Sequence, residues 1–284
     1  MKFIPFAFLL FTTGIVCSGQ GIGPTVSNSG TPRFHSDAIQ LQSTEWVVPE
    51  LIIGGEWTSS IKFTNRGSVA IPPTNVYFWD NTGKPMMTTF QATNGQIITG
   101  TGFSFSLGVG AIVQGTFTGG ASTAFGMATI ACSALGCGTH GLYGEVTLRN
   151  HNAARPDFVV VFPLEMPSSG QYMLFDGTST NVGPITTTLY VVNNSVSPAT
   201  ATMEVRDSNN NLVDSALFTF VGLGSQIQTL HVLCPGSIGV TGTLVFRVTS
   251  IDPLTGAPSL ITATALRIDP SGSFAPVRAW IPGS

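Results

Sequence analysis

The segment DSNNNLVD, Asp207 to Asp214, places oxygen-bearing side chains at alternate positions: Asp207, Asn209 and Asn211. A calcium loop opens in this way, because a hard cation draws many oxygen ligands from a short stretch. Leu212 stands where such a loop needs its turn glycine, and Phe218 where it needs a bidentate glutamate. The segment therefore reads as a hairpin turn, and no metal is expected. Cys132, Cys137, His140 and His151 follow a C-x4-C-x2-H-x10-H spacing that fits no familiar zinc module. Cys132 and Cys137, close together in Gly-rich text, are expected to pair as a disulfide, leaving Cys234 a free and buried thiol. Glu145 and Glu165, in or beside strands, are the best-placed carboxylates for a hydrolytic acid–base pair. The text around them is Gly, Thr, Ala and Ser, so no catalytic residue and no cofactor is assigned. His35, His140, His151 and His231 read as structural, and G-x-S-x-G, H-E-x-x-H and P-loop patterns are absent.

The elements that would carry these residues are strands. Apolar residues alternate with Thr, Ser or charge over five to eight positions, bounded by Gly, Pro, Asn and Asp, and no stretch shows a helical period. Only 9% of the 284 residues are charged and the formal net charge is −3, which gives nucleic acid no basic surface to meet. The N-terminus, MKFIPFAFLLFTTGIVCSGQG, has one Lys, an apolar run and then small residues, which is the pattern of a secretory signal peptide cut after Ser18. Val16 before Cys17 argues against a lipoprotein anchor. With no second long apolar segment, the mature chain is expected to be soluble and secreted, periplasmic or at the cell surface.

The chain repeats itself. TSSIKFTNRGS (58–68) aligns with TTTLYVVNNSV (186–196), and TNVYFWDNTGKP (74–85) with TATMEVRDSNNNL (200–212), so that Asn65 meets Asn193 and Asp80 meets Asp207. FSLGVGA (105–111) aligns with FTFVGLGS, Gly108 and Gly110 over Gly222 and Gly224. YGEVTLRN (143–150) aligns with TGTLVFRV (241–248), and VVVFPLEMPSSG with TATALRIDPSG. The expected organisation is signal peptide 1–18, extension 19–42, one β-sandwich repeat over 43–169 and a second over 170–284. The first repeat carries extra text at about 91–102 and 119–140, expected to form longer loops.

The repeat also assigns faces. Glu204 and Arg206 mark the solvent face of MEVRD, so their counterparts Tyr77 and Trp79 are expected to point outward, as are Lys62 with Tyr190 and Arg149 with Arg247. An exposed Tyr–Trp pair suits a sugar or a protein contact, unless the insertions or the other repeat cover it.

GGEWTSSIKFTN, VYFWDNTGKP and YGEVTLRN, in this order, resemble the immunoglobulin-like or fibronectin-type-III-like repeats of exported bacterial surface proteins. The resemblance implies an all-β chain of two tandem Ig-like antiparallel sandwiches, without the Trp-plus-disulfide signature of antibody domains. That scaffold hosts many roles; with the signal-peptide pattern and no catalytic motif, the expected protein is exported and non-enzymatic, of binding, adhesion or structural role, with an unidentified protein or glycan as partner. The second reading is a carbohydrate-binding module using Tyr77 and Trp79. The third is a hydrolase with an unrecognised carboxylate pair.

Overall fold

A computed structural model describes residues 46–132, 141–151, 157–180, 183–268, 270 and 274–281. The expected signal peptide (1–18) with Cys17, the extension 19–42, His35, Cys137 and His140 lie outside the described residues.

The regular elements of the described chain are almost all antiparallel strands. The first sheet runs β1 (Trp46–Ile53), β8 (Ala124–Cys132), β3 (Ile71–Asp80), β6 (Gly102–Leu107). The second runs β10 (Phe158–Pro163), β9 (Leu142–Asn150), β2 (Trp57–Asn65), β7 (Ile112–Thr118), β4 (Thr88–Ala92), β5 (Ile97–Gly100). Alternation buries one face of each. Ile61, Phe63, Val113, Phe117, Val146 and Leu148 from the second sheet meet Val76, Phe78, Phe103 and Phe105 from the first in one core. Phe90, Phe103 and Phe117 form an aromatic chain through it, with ring centroids 4.7 and 5.2 Å apart.

The remaining strands form one sheet of eight, in the order β16 (Leu212–Phe220), β15 (Ala199–Asp207), β18 (Thr241–Val248), β11 (Gly170–Asp176), β20 (Phe274–Trp280), β19 (Ile261–Ile268), β14 (Thr186–Asn193), β17 (Ser225–Thr229). Between β11 and β20 only Tyr172 faces Trp280 and Met173 faces Ala279. At that thin seam the sheet folds over, and Met173, Met203, Val205, Phe218 and Phe246 close a second core with Leu189, Val191, Ala263 and Ala265. A two-stranded ribbon, β12 (Ser179–Thr180) with β13 (Gly183–Pro184), a four-residue helix, α1 (Leu230–Leu233), and a short 3-10 turn at Pro235–Ser237 complete the described elements. Among the described residues no helix is long and apolar enough to cross a membrane.

The pairing order repeats. β1-β8-β3-β6 matches β11-β18-β15-β16, and β10-β9-β2-β7 matches β20-β19-β14-β17. This corrects the sequence alignment in its second half. Asp80 lies opposite Gly126 and Asp207 opposite Gly242, so residues 124–132 correspond to 241–248. Asn65 lies opposite Leu142 and Asn193 opposite Ile261, so YGEVTLRN corresponds to the strand 261–268 rather than to TGTLVFRV. Every strand carries the same two-residue alternation, so textual likeness alone cannot hold the register across the long text at 119–140. The text near 91–102 is not a loop either. It is the hairpin β4–β5, closed at Asn94–Gly95 with Gly95 at φ +86° and with Phe90, Ala92 and Ile98 buried.

The pairings β2–β7 and β3–β8 are those of the B–E and C–F strands of an immunoglobulin sandwich. The edges differ. β1 stands beside β8, where that fold puts its last strand, and β9 stands beside β2, where it puts its first.

One device recurs in both repeats. The Asn65 side-chain amide donates to the carbonyls of Val69, Leu107 and Gly108 at 2.7–3.2 Å, and its Oδ1 accepts from Gly67 N. The Asn193 amide donates to Ser197 O and Val221 O, both at 2.9 Å, and its Oδ1 accepts from Ser195 N. Each fully enclosed Asn ties its own turn to the turn ahead of the next sheet crossing. Removing either leaves buried carbonyls unpaired, which costs more than the lost bonds alone. Asn65→Ala and Asn193→Ala are each expected to lower the unfolding free energy by about 2–4 kcal/mol in urea titrations.

Candidate functional site

The segment DSNNNLVD forms a hairpin turn between β15 and β16. Asn210 takes φ +66°, and the Asp207 carboxylate accepts from the backbone of Asn209 and Asn211 and from the Asn211 side chain at 2.8–3.0 Å. Those bonds, the Asn211 side chain first, hold the Asp207 carboxyl below the ordinary range. The turn at Asp80 is built alike. Asp80 Oδ1 accepts from Thr82 N and Lys84 N, and Gly83 takes φ +78° in the place of Asn210.

Cys132 is disulfide-bonded, while Cys137 lies outside the described residues. Cys234 is free and buried, its thiol pushed up to about 11 by burial and by the Asp214 carboxylate. Glu145 accepts from Lys62 at 3.4 Å and from the Tyr143 hydroxyl at 3.3 Å, while Glu165 accepts from Arg278 at 3.0 Å. The two carboxylates thus serve separate ion pairs. His151 and Arg149 share Asp157. His231 sits in α1.

Tyr77 and Trp79 leave their own core, as the alternation requires, but Trp79 does not reach solvent and Tyr77 does so only in part. Trp79 is 4% exposed and clusters with Val47 and Met127 of its own sheet and with Val192 and Leu223 of the second repeat. Tyr77 packs against that cluster and is half-buried. The Trp79 indole donates to Thr129 Oγ1 at 2.9 Å. Tyr190, expected outside, likewise turns away from its own core and joins that of the first repeat. The solvent face read from Glu204 and Arg206 is an interface face at these positions, because one sheet of each repeat is packed on the other.

Turn chemistry differs between the repeats where they meet. A Cβ on Gly83 would stand 2.0 Å from the carbonyl oxygen of Gly222, so only glycine fits there. Its counterpart Asn210 is exposed. Asn65 N donates to Ala111 O and Asn193 N to Gly224 O, which puts Gly110 opposite Leu223 rather than Gly224. Both residues take positive φ, and Leu223 carries a side chain there because that side chain fills the junction.

At the edge of the junction Glu50 is buried against Tyr190 beside a void of about 10 Å³, walled by Phe125, Gly126, Ser225, Gln226 and Ile227. No cation lines it. Burial drives the Glu50 carboxyl well above the usual carboxylate range, and the facing Tyr190 hydroxyl offsets part of that push. Tyr190 is itself pushed upward by burial and by Glu50. Neither Glu50 oxygen has a hydrogen bond of regular geometry among the described residues.

An open groove of about 430 Å³ lies between the repeats, lined by Trp46, Leu142, Tyr143, Val161 and Leu164 from the first and Arg278 from the second. The Arg66 guanidinium covers the Tyr143 ring at 3.6 Å. Arg278 lends its Nε to Glu165, whose carboxyl burial raises more than Arg278 lowers. Two residues along β20, Trp280 is 44% exposed and lies nearly parallel to Tyr172, with centroids 5.9 Å apart and 27° between planes. The sequence reading passed over Trp46, Tyr172 and Trp280. The available signal was the two-residue spacing of Arg278 and Trp280 in FAPVRAW.

No family model matches the chain, and no curated protein matches it. A solved structure of a lectin from Pleurotus ostreatus in complex with GalNAc aligns over 84% of this chain and 82% of that one, at 12% identity with a TM-score of 0.15. An overlap that low carries no argument about fold or function.

Two outcomes test the junction. Because its folded carboxyl titrates above the unfolded one, Glu50 contributes stability that is present below the ordinary carboxylate range and lost as pH rises through its raised value. Glu50→Gln should therefore match the parent in thermal melts at acid pH and exceed it increasingly toward neutral and alkaline pH. Gly95→Ala, at positive φ in open space, should cost about 1–2 kcal/mol. Gly83→Ala, at similar φ against Gly222, should cost clearly more in the same denaturation assay.

Proposed function

We propose that the chain is an exported, non-enzymatic binding or structural protein built of two tandem immunoglobulin-like sandwiches with exchanged edge strands, locked into one rigid unit. The observation that carries this reading is the junction. A Trp and a Leu held at positive φ are committed to fixing one repeat against the other, and the junction tolerates a buried carboxyl at its edge. The groove beside it takes residues from both repeats, and clefts between domains are a common place for ligands. The carboxylates that might have formed a hydrolytic pair are each matched to their own cation, Lys62 or Arg278. The former sugar platform at Tyr77 and Trp79 is committed to the junction and plays no part in this reading.

Two measurements test it. Expressed from the full reading frame, the chain should leave the cell with Gly19 as its first residue by mass spectrometry. A turnover screen on polysaccharides, glycosides and peptides should stay at background. Turnover that disappears in Glu145→Gln would replace this reading with a hydrolase.

A further inference from the structure

We infer that the groove between the repeats and the aromatic pair beside it form one extended site for a neutral oligosaccharide. This rests on the binding reading above and names the ligand class.

The site is continuous through β20. Val277 and Ala279 pack against the second core, so Arg278 and Trp280 share the outer face, about 7 Å apart along the strand. Arg278 forms the rim of the groove and Trp280 begins the platform. The register continues the platform sideways, from Trp280 to Tyr172, then to Val245. Val245, next to Tyr172 in the register, faces the same way and is buried. The flanking rows bring Thr243 and Arg247.

The chemistry selects the ligand. A pyranose ring offers an apolar C–H face for stacking and hydroxyls around its rim. The site offers ring faces at Tyr172 and Trp280 and hydrogen-bonding groups beside them. With its Nε committed to Glu165 and its side chain 59% exposed, Arg278 has further guanidinium donors to spare. Trp46 adds a further aromatic side chain to the groove wall. Lys62, Arg278 and Arg206 are paired with Glu145, Glu165 and Glu204, and the remaining cations of the face, Arg66 over Tyr143 and Arg247, are too few to make a basic surface for an acidic glycan or nucleic acid. Threonines and ion pairs interrupt the apolar strip, which suits a sugar chain better than the broad apolar core of a protein interface.

The test is isothermal titration of the full mature protein with cellohexaose, laminarihexaose, xylohexaose and mannohexaose, with a polygalacturonate hexamer as the acidic arm. At least one neutral hexamer should bind with a Kd below about 1 mM. Trp280→Ala and Tyr172→Ala should each weaken it about tenfold or more. Arg278→Lys, which keeps the charge but loses the planar fork, should weaken it less. Ile97→Ser should have no effect, because β5 lies at the opposite edge of the six-stranded sheet from β10. Circular dichroism confirms that each variant folds. Four outcomes overturn the inference: no neutral hexamer binding at millimolar concentration, binding unchanged in both aromatic variants, binding of the acidic hexamer alone, or a dimer in light scattering that Trp280→Ala dissociates. The last would assign the face to a second copy of the chain. None of the four touches the broader reading, which fails only on turnover or on retention inside the cell.

Discussion

Burial of Trp79 between the two repeats is the constraint around which the rest of the molecule is arranged. An indole of this size removes about 150–250 Å² from water, worth about 4–6 kcal/mol as an upper estimate. To bring it there, β1 gives up a solvent face and is buried on both sides, with Val48 and Ile52 in one core and Val47 at the junction. Leu223 accepts a backbone conformation that most residues avoid, and Gly83 gives up a side chain. Glu50 gives up its hydration, and burial pushes its carboxyl well above the usual carboxylate range. These are local costs, and they persist because the junction as a whole outweighs them.

The same constraint explains why a groove between two sandwiches can act as a defined feature at all. Neighbouring domains joined only by a short connection would move relative to one another. Here Ser225 N donates to Asn81 O across the junction, and Arg278 of the second repeat reaches Glu165 beside the first. Tyr143 and Arg278 therefore hold a fixed relation, though they lie far apart in sequence.

Much of the architecture was legible in the sequence because it depends on short-range signals. The alternation in TSSIKFTN and TATMEVRD gives strands. The aspartates at 80 and 207 with a positive-φ residue three positions on give matched turns, and the asparagines at 65 and 193 mark matched latches. The alignment failed after the Gly-rich text at 119–140, because strands of equal period match one another at several offsets. The β4–β5 hairpin was signalled by Asn94–Gly95 between alternating apolar residues and was missed by reading composition in place of pattern. Faces at Tyr77, Trp79 and Tyr190 were misread for a deeper reason. Periodicity tells which side chains leave a sheet's own core, and it does not tell whether water or another sheet meets them. The groove at Trp46, Tyr143 and Arg278 draws on three separated stretches of chain, so no local pattern could have shown it.

Cys234 gives this architecture an internal clock. The thiol is enclosed in the second core and its high proton affinity keeps it from being a thiolate at neutral pH. In an oxidising compartment it is therefore inert while the second sandwich stays closed. It can react only in moments when that core opens, so its rate of alkylation records the opening frequency of one repeat separately from the other. With Cys132 held in a disulfide, Cys234 is the free thiol among the described residues that reports on this core.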